Sequence, residues 1–156
     1  MSKLTPRTAF ALVVGFAALV LGIEVVSGSH GHRFERLRPD PDGVVRIDVG
    51  EFENLDVRFY RFLNAGNQEV EFLVGRDRHG EIQVGFNSND NHAKTRRGFT
   101  YQDGWIIDNK CETTTRLSAI NSGGGGCKPA AIDHRVDGDE LILLESDILK
   151  GWRYFR

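Results

Sequence analysis

The sequence predicts a mainly β protein: a compact antiparallel β domain, sandwich- or barrel-like, tethered by one N-terminal transmembrane helix. Three observations lead there. Beyond Gly43 apolar residues recur with a period of two, the period of a strand that buries one face. Turn residues separate these runs, and neither an internal repeat nor a long amphipathic helix interrupts them. Ahead of them lies an uncharged stretch, Thr8 to Ile23, built almost wholly from Ala, Val, Leu, Phe and Gly.

Taken in order, that apolar stretch reads as an anchor over residues 1–26. With Arg7 snorkelling at one end and Glu24 to Val26 at the other, it reaches about the minimum of 17 residues for a span. A cleaved signal peptide is the rival reading, with Lys3 and Arg7 as its basic region and Val26-Ser27-Gly28 as its cleavage site. The expectation is an uncleaved anchor. Ala11, Gly15, Ala18 and Gly22 fall on one face of such a helix, and small residues so aligned let a second helix approach closely. Orientation is a draw on charge, because Lys3 and Arg7 precede the span while Arg33, Arg36 and Arg38 follow it.

Residues 27–43 are polar and turn-rich and read as a linker. His30 and His32 have the spacing of a metal pair, but no third ligand is near in sequence. Residues 44–156 make the β domain. Val44 to Val49 is a short strand. Leu55, Val57 and Phe59 alternate with Asp56, Arg58 and Tyr60, which predicts one buried and one mixed face. Asn64 to Asn67 is a turn, and Val70, Phe72 and Val74 then alternate with Glu69 and Glu71. Asp77-Arg78-His79-Gly80 joins that run to Ile82, Val84 and Phe86 as a hairpin, with Asp and Gly where a type I turn wants them. Asp103-Gly104 is a turn into Trp105 to Ile107. Ile132 to Val136 and Leu141 to Leu144 form a hairpin around Asp137-Gly138-Asp139, and Ser146 caps a helical turn before Gly151.

Composition excludes more than it assigns. With 156 residues and a net charge of −2, one ordinary domain is expected and nucleic acid is not a natural partner. Two cysteines are too few for a disulfide-dense scaffold. No Gly-x-Ser-x-Gly, His-Glu-x-x-His or Gly-x-x-x-x-Gly-Lys pattern occurs, so the chain is read as no enzyme.

The residues that packing does not demand lie between Phe86 and Ile132. Four consecutive glycines, Gly123 to Gly126, cost backbone entropy on ordering and lead into Cys127 and Pro129. By residue type, Asp90, His92, Asp108, Cys111 and Cys127 are the candidate ligands, and a site made of Cys, His and carboxylate suits zinc or another transition metal. The alternatives are a disulfide between Cys111 and Cys127, contributing about 3 kcal/mol by closing its loop, and free or buried thiols.

Phe86-Asn87-Ser88-Asn89 leads to His92, and Arg96-Arg97-Gly98-Phe99 follows. Then come Asp108-Asn109-Lys110-Cys111, Gly125-Gly126-Cys127-Lys128-Pro129 and a closing Gly151-Trp152-Arg153-Tyr154-Phe155. This order resembles the FtrD-like membrane-anchored iron–sulfur-containing proteins of bacteria. Their block runs Phe-Asp-Ala-Cys-x-x-Cys, a basic pair with Gly-Tyr, Cys-x-x-Cys-Gly, Gly-Gly-Cys-x-Pro, and ends near Gly-x-x-Tyr-Phe. Asn89 and His92 stand where the first cysteine pair falls and Asp108 where the second begins. Cys111 and Cys127 remain. The resemblance implies a role in membrane iron transport or redox handling and an exported domain, with Arg33 outside and Cys111 and Cys127 oxidised. An iron–sulfur cluster wants thiolates, so the substitutions argue against one.

The functional expectation is a non-catalytic accessory subunit of a larger bacterial membrane complex of respiratory or photosynthetic electron transfer, without a cofactor. It would sit in the inner membrane with its C-terminal domain in the periplasm. Its partners would be the lipid bilayer and other subunits, met through the N-terminal helix and the β domain. The alternative is a periplasmic metal protein holding one zinc, copper or iron ion through His92, Asp108, Cys111 and Cys127.

Overall fold

Along residues Glu69–Arg76 successive side chains are buried on opposite sides, and the rest of the domain is layered about that strand. The computed structural model describes residues 33–92, 95–123 and 126–156. The anchor read over 1–26, its face of Ala11, Gly15, Ala18 and Gly22, and the pair His30 and His32 lie outside the described residues. Among the described residues no helix is long and apolar enough to cross a membrane.

The strands are β1 (Phe34–Leu37), β2 (Val44–Asp48), β3 (Val57–Leu63), β4 (Glu69–Arg76), β5 (Ile82–Phe86), β6 (Phe99–Gln102), β7 (Trp105–Asp108), β8 (Thr114–Arg116), β9 (Arg135–Asp137) and β10 (Glu140–Leu144). One short helix, α1 (Glu145–Leu149), follows. They form a four-stranded sheet, β1-β3-β4-β5, and two three-stranded sheets, β2-β10-β9 and β6-β7-β8. The domain is thus mainly β, and its pairings are antiparallel except for β1 with β3.

Alternation explains the layering. Tyr60, Phe62, Val70, Phe72, Val74, Val84 and Phe86 share one core with Val45 and Ile47 of β2, Leu141 and Leu143 of β10, and Ile148 of α1. Phe59 and Leu73 point the other way and share a second core with Phe99 of β6, Ile106 of β7, Leu117 and Ile120. A small sheet therefore covers each face of the central one. Phe59 is buried on one side of β3, and the mixed face expected on the other carries half-buried Arg58 beside buried Tyr60 and Phe62.

The turns follow their residues. Gly80 N–H donates to the Asp77 carbonyl at 3.0 Å, closing the β4–β5 hairpin, and Asn67 N–H donates to the Asn64 carbonyl at 3.1 Å. Asp103 and Gly104 both take positive φ (48° and 86°), the conformation of a tight hairpin between β6 and β7.

Three readings are corrected. The stretch 27–43 is not all linker, since β1 lies within it. The Phe34 ring meets Phe59 edge-on at 5.9 Å, and the Arg61 guanidinium sits 4.9 Å above Phe34. A strand fixed by ring contacts needs no alternating pattern, which is why it was hidden. Second, β9 begins only at Arg135, because Ala131 pairs with Gly85 of β5 and draws the preceding residues to the central sheet. Third, Ser146 does not cap α1. The helix begins at Glu145, whose N–H is satisfied by the Gly43 carbonyl at 2.8 Å.

Candidate functional site

The chain leaves β5 through an asparagine-rich turn whose hydrogen bonds set the site. Asn87 accepts from the Phe99 N–H at 2.8 Å, tying the start of β6 to the end of β5. A Cβ on Gly98 would lie 2.6 Å from the Asn87 side chain, so only glycine, here at φ 59°, admits that approach. Asn89, also buried, accepts through Oδ1 from the N–H groups of Asn91 (2.9 Å) and His92 (3.0 Å), an Asx turn that aims His92 inward. Its own Nδ2 donates to the Lys128 carbonyl at 3.0 Å, which clasps the cysteine-bearing segment to this turn.

His92 and Asp108 have no solvent exposure. The imidazole stacks on Phe99, with ring centroids 4.9 Å apart and planes 13° from parallel. Its Nε2 lies 2.7 Å from Asp108 Oδ1. That oxygen also accepts from the N–H groups of Lys110 (2.8 Å) and Cys111 (2.7 Å) in the turn after β7. Burial opposes the charge on Asp108, but the Cys111 and Lys110 amides and the His92 ring together outweigh it and hold the carboxyl below its ordinary range. A disulfide joins Cys111 to Cys127, with Cα atoms 6.4 Å apart. Asn91 Nδ2 lies 3.9 Å from Cys127 Sγ.

Ligand atoms of His92, Asp108 and Cys111 all fall within 4.8 Å of one another. Among the described residues, two buried polar atoms there, His92 Nδ1 and Asp108 Oδ2, have no hydrogen-bond partner. The fold thus assembles His92, Asp108, Cys111 and Cys127 from three segments: the turn after β5, the turn after β7 that holds both Asp108 and Cys111, and the segment of Cys127. Asp90 is not among them. It is exposed and pairs with Arg153 at 3.0 Å.

Asn87 and Asn91 were not singled out from the sequence, and Asn89 was noted only as a replaced ligand position. The alternation Asn87-x-Asn89-x-Asn91 was the available signal, since side-chain amides at such spacing commonly cap turns.

A family model described as membrane iron–sulfur containing protein FtrD-like matches residues 52–155. The chain belongs to the FtrD-like family. No curated protein and no solved structure matches it. The match spans β3, β4 and β5 of the central sheet and includes Asn89, His92, Asp108, Cys111 and Cys127. The donors at them do not fit the iron–sulfur group of the family's description. Such a cluster is held mainly by cysteine thiolates, and this chain has two cysteines, which are bonded to each other.

Proposed function

We propose that this FtrD-like protein is a non-catalytic, membrane-anchored accessory subunit of a bacterial electron-transfer complex, respiratory or photosynthetic, with its β domain in the periplasm. The observation that carries the reading is the state of the donors. The two sulfurs are bonded to each other, and Asp108 Oδ1 is shared among His92 and two backbone amides. What holds a cluster in a cysteine-rich scaffold here holds three chain segments together. A domain whose polar centre serves its own rigidity is suited to presenting a surface to neighbours. Family membership supports a membrane setting, and the apolar stretch Thr8 to Ile23 supports the anchor.

The test is purification from native membranes in mild detergent. The full-length chain is expected to co-migrate with a larger complex, and its deletion is expected to lower that complex's stability or yield. A chain that runs alone, and whose deletion changes no complex, contradicts the proposal.

A second reading, a metal-binding periplasmic domain, is favoured by the approach of His92, Asp108 and Cys111 to within 4.8 Å. Metal content measured on the purified domain separates it from the first.

A further inference from the structure

We infer that the Cys111–Cys127 disulfide is a gate. In its oxidised form the site is closed, and two-electron reduction opens a single-ion site for a borderline-soft divalent transition metal, formed by Cys111, Cys127, His92 and Asp108. The inference rests on the metal-binding reading and adds what controls it.

Geometry supplies the first argument. A tetrahedral ion with ligand bonds of 2.0–2.3 Å separates its ligand atoms by about 3.3–3.8 Å. The atoms of His92, Asp108 and Cys111 already lie within 4.8 Å of one another, so adjustments of roughly an ångström suffice, with His92 Nε2 and Asp108 Oδ1, now 2.7 Å apart in a hydrogen bond, parting as the ion enters. The fourth donor, Cys127 Sγ, is attached to Cys111 Sγ and has only to part from it. A Cβ built on Gly126, the residue before Cys127, would meet nothing within 4 Å, while Asn89 Nδ2 holds the Lys128 carbonyl just beyond Cys127 at 3.0 Å.

Burial supplies the second. His92 Nδ1 and Asp108 Oδ2 are enclosed without a partner among the described residues, a costly arrangement in a site that only holds the chain together. A cation that takes His92 Nδ1 or Asp108 Oδ2 as a ligand relieves that cost. Oxidised sulfur, in contrast, is a poor ligand, because the thiolate is the binding form.

The step balances with a dithiol as reductant. Its thiolate attacks one sulfur of the Cys111–Cys127 bond, the second thiol completes the exchange, and the reductant leaves as a disulfide. Cys111 and Cys127 emerge as two thiols carrying the two electrons and two protons. Metal binding then releases both protons. Both cysteines are only half-buried, so a dithiol has access to them.

The test titrates Co²⁺, then Zn²⁺ in competition, into full-length protein in detergent, oxidised or reduced by a non-chelating phosphine that is removed before titration. Expected is uptake of one ion per chain by the reduced form, with thiolate-to-Co²⁺ charge-transfer absorption that Zn²⁺ abolishes, and loss of that uptake on reoxidation. His92→Ala and Cys127→Ser each weaken uptake, and circular dichroism of each variant confirms that it has folded. Equal uptake by both forms overturns the gate while leaving the metal-binding reading in place. No uptake by the folded reduced form overturns both.

Discussion

On one face of the β1-β3-β4-β5 sheet, sixteen buried apolar residues among those described form the core shared with β2-β10-β9 and α1. On the other, the core shared with β6-β7-β8 has six. The second face makes up the difference with polar and covalent links. Asn121 donates to and accepts from the backbone of Val84 (3.2 and 2.9 Å), occupying the edge of β5 as a strand would. Gln83 reaches Asp77 and Asn121, Asn87 reaches Phe99, His92 reaches Asp108, and the disulfide closes over them. Apolar burial is non-directional and tolerates substitution of similar volume. A hydrogen-bonded site is directional and leaves costly orphans when one member goes. One face is therefore built for cohesion and the other for placing particular side chains, and the His92–Asp108 pair and the disulfide lie on the second.

The comparison breaks most sharply at two places, Phe72 of β4 and the disulfide. Phe72→Ala empties the larger core and is expected to cost about 3–5 kcal/mol. Because every sheet rests on that core directly or through β4, amide protection should fall across the whole domain. Denaturant unfolding with hydrogen exchange measures both. Next in size is the Cys111→Ala, Cys127→Ala double variant, at about 3 kcal/mol for a loop of this length. Here protection should be lost over β6, β7 and β8 while β2 and β10 keep theirs. Uniform loss in the second variant would show that the two faces are not separately held.

The same division decides what could be read beforehand. β3, β4, β5 and β10 were legible because a large apolar core imposes alternation on its strands. The turns at Asp77, Asn64 and Asp103 were legible because their backbone needs particular residues. β1, β6 and β8 were not. Phe34 is held by two ring contacts, and Thr114–Arg116 is a short, polar strand at a sheet edge. In the site, residue type pointed to His92, Asp108, Cys111 and Cys127, but not to Asn87 or Asn89. A buried asparagine that bonds backbone leaves no period in the sequence.

A smaller effect sharpens the contrast from the acid side. Asp108→Asn retains an acceptor for the Lys110 and Cys111 amides but removes the charge, for about 1–3 kcal/mol at neutral pH. The folded state holds the Asp108 carboxyl below its ordinary range, burial notwithstanding. Its contribution is therefore complete above the unfolded value, about 4, and disappears as pH falls through the lower folded value. Wild-type stability should drop in that acid window, and the variant should show less of the drop. Thermal melts from pH 7 downwards measure the difference.

The smallest effect lies at the alkaline end and compares one tyrosine from each face. Tyr60, stacked on Phe72 in the larger core, has its phenol pushed up to about 12, chiefly by burial and then by the charge of Glu35, with Arg58 opposing. Tyr101, half-buried beside the smaller core, is also raised by burial, but the Gly104 N–H donating to its oxygen at 2.9 Å pulls it back. Raised phenols favour the neutral form in the fold, so their contribution is full below the unfolded value, about 10, and fades as pH climbs towards the folded one. Tyr60→Phe should therefore flatten the loss of stability above that point, while Tyr101→Phe flattens it less. Tyr101 also loses its hydrogen bond to the Leu55 carbonyl on substitution, a cost present at every pH. A pH-dependent loss at Tyr60 against a pH-independent one at Tyr101 is what apolar enclosure on one face and directed polar contact on the other require.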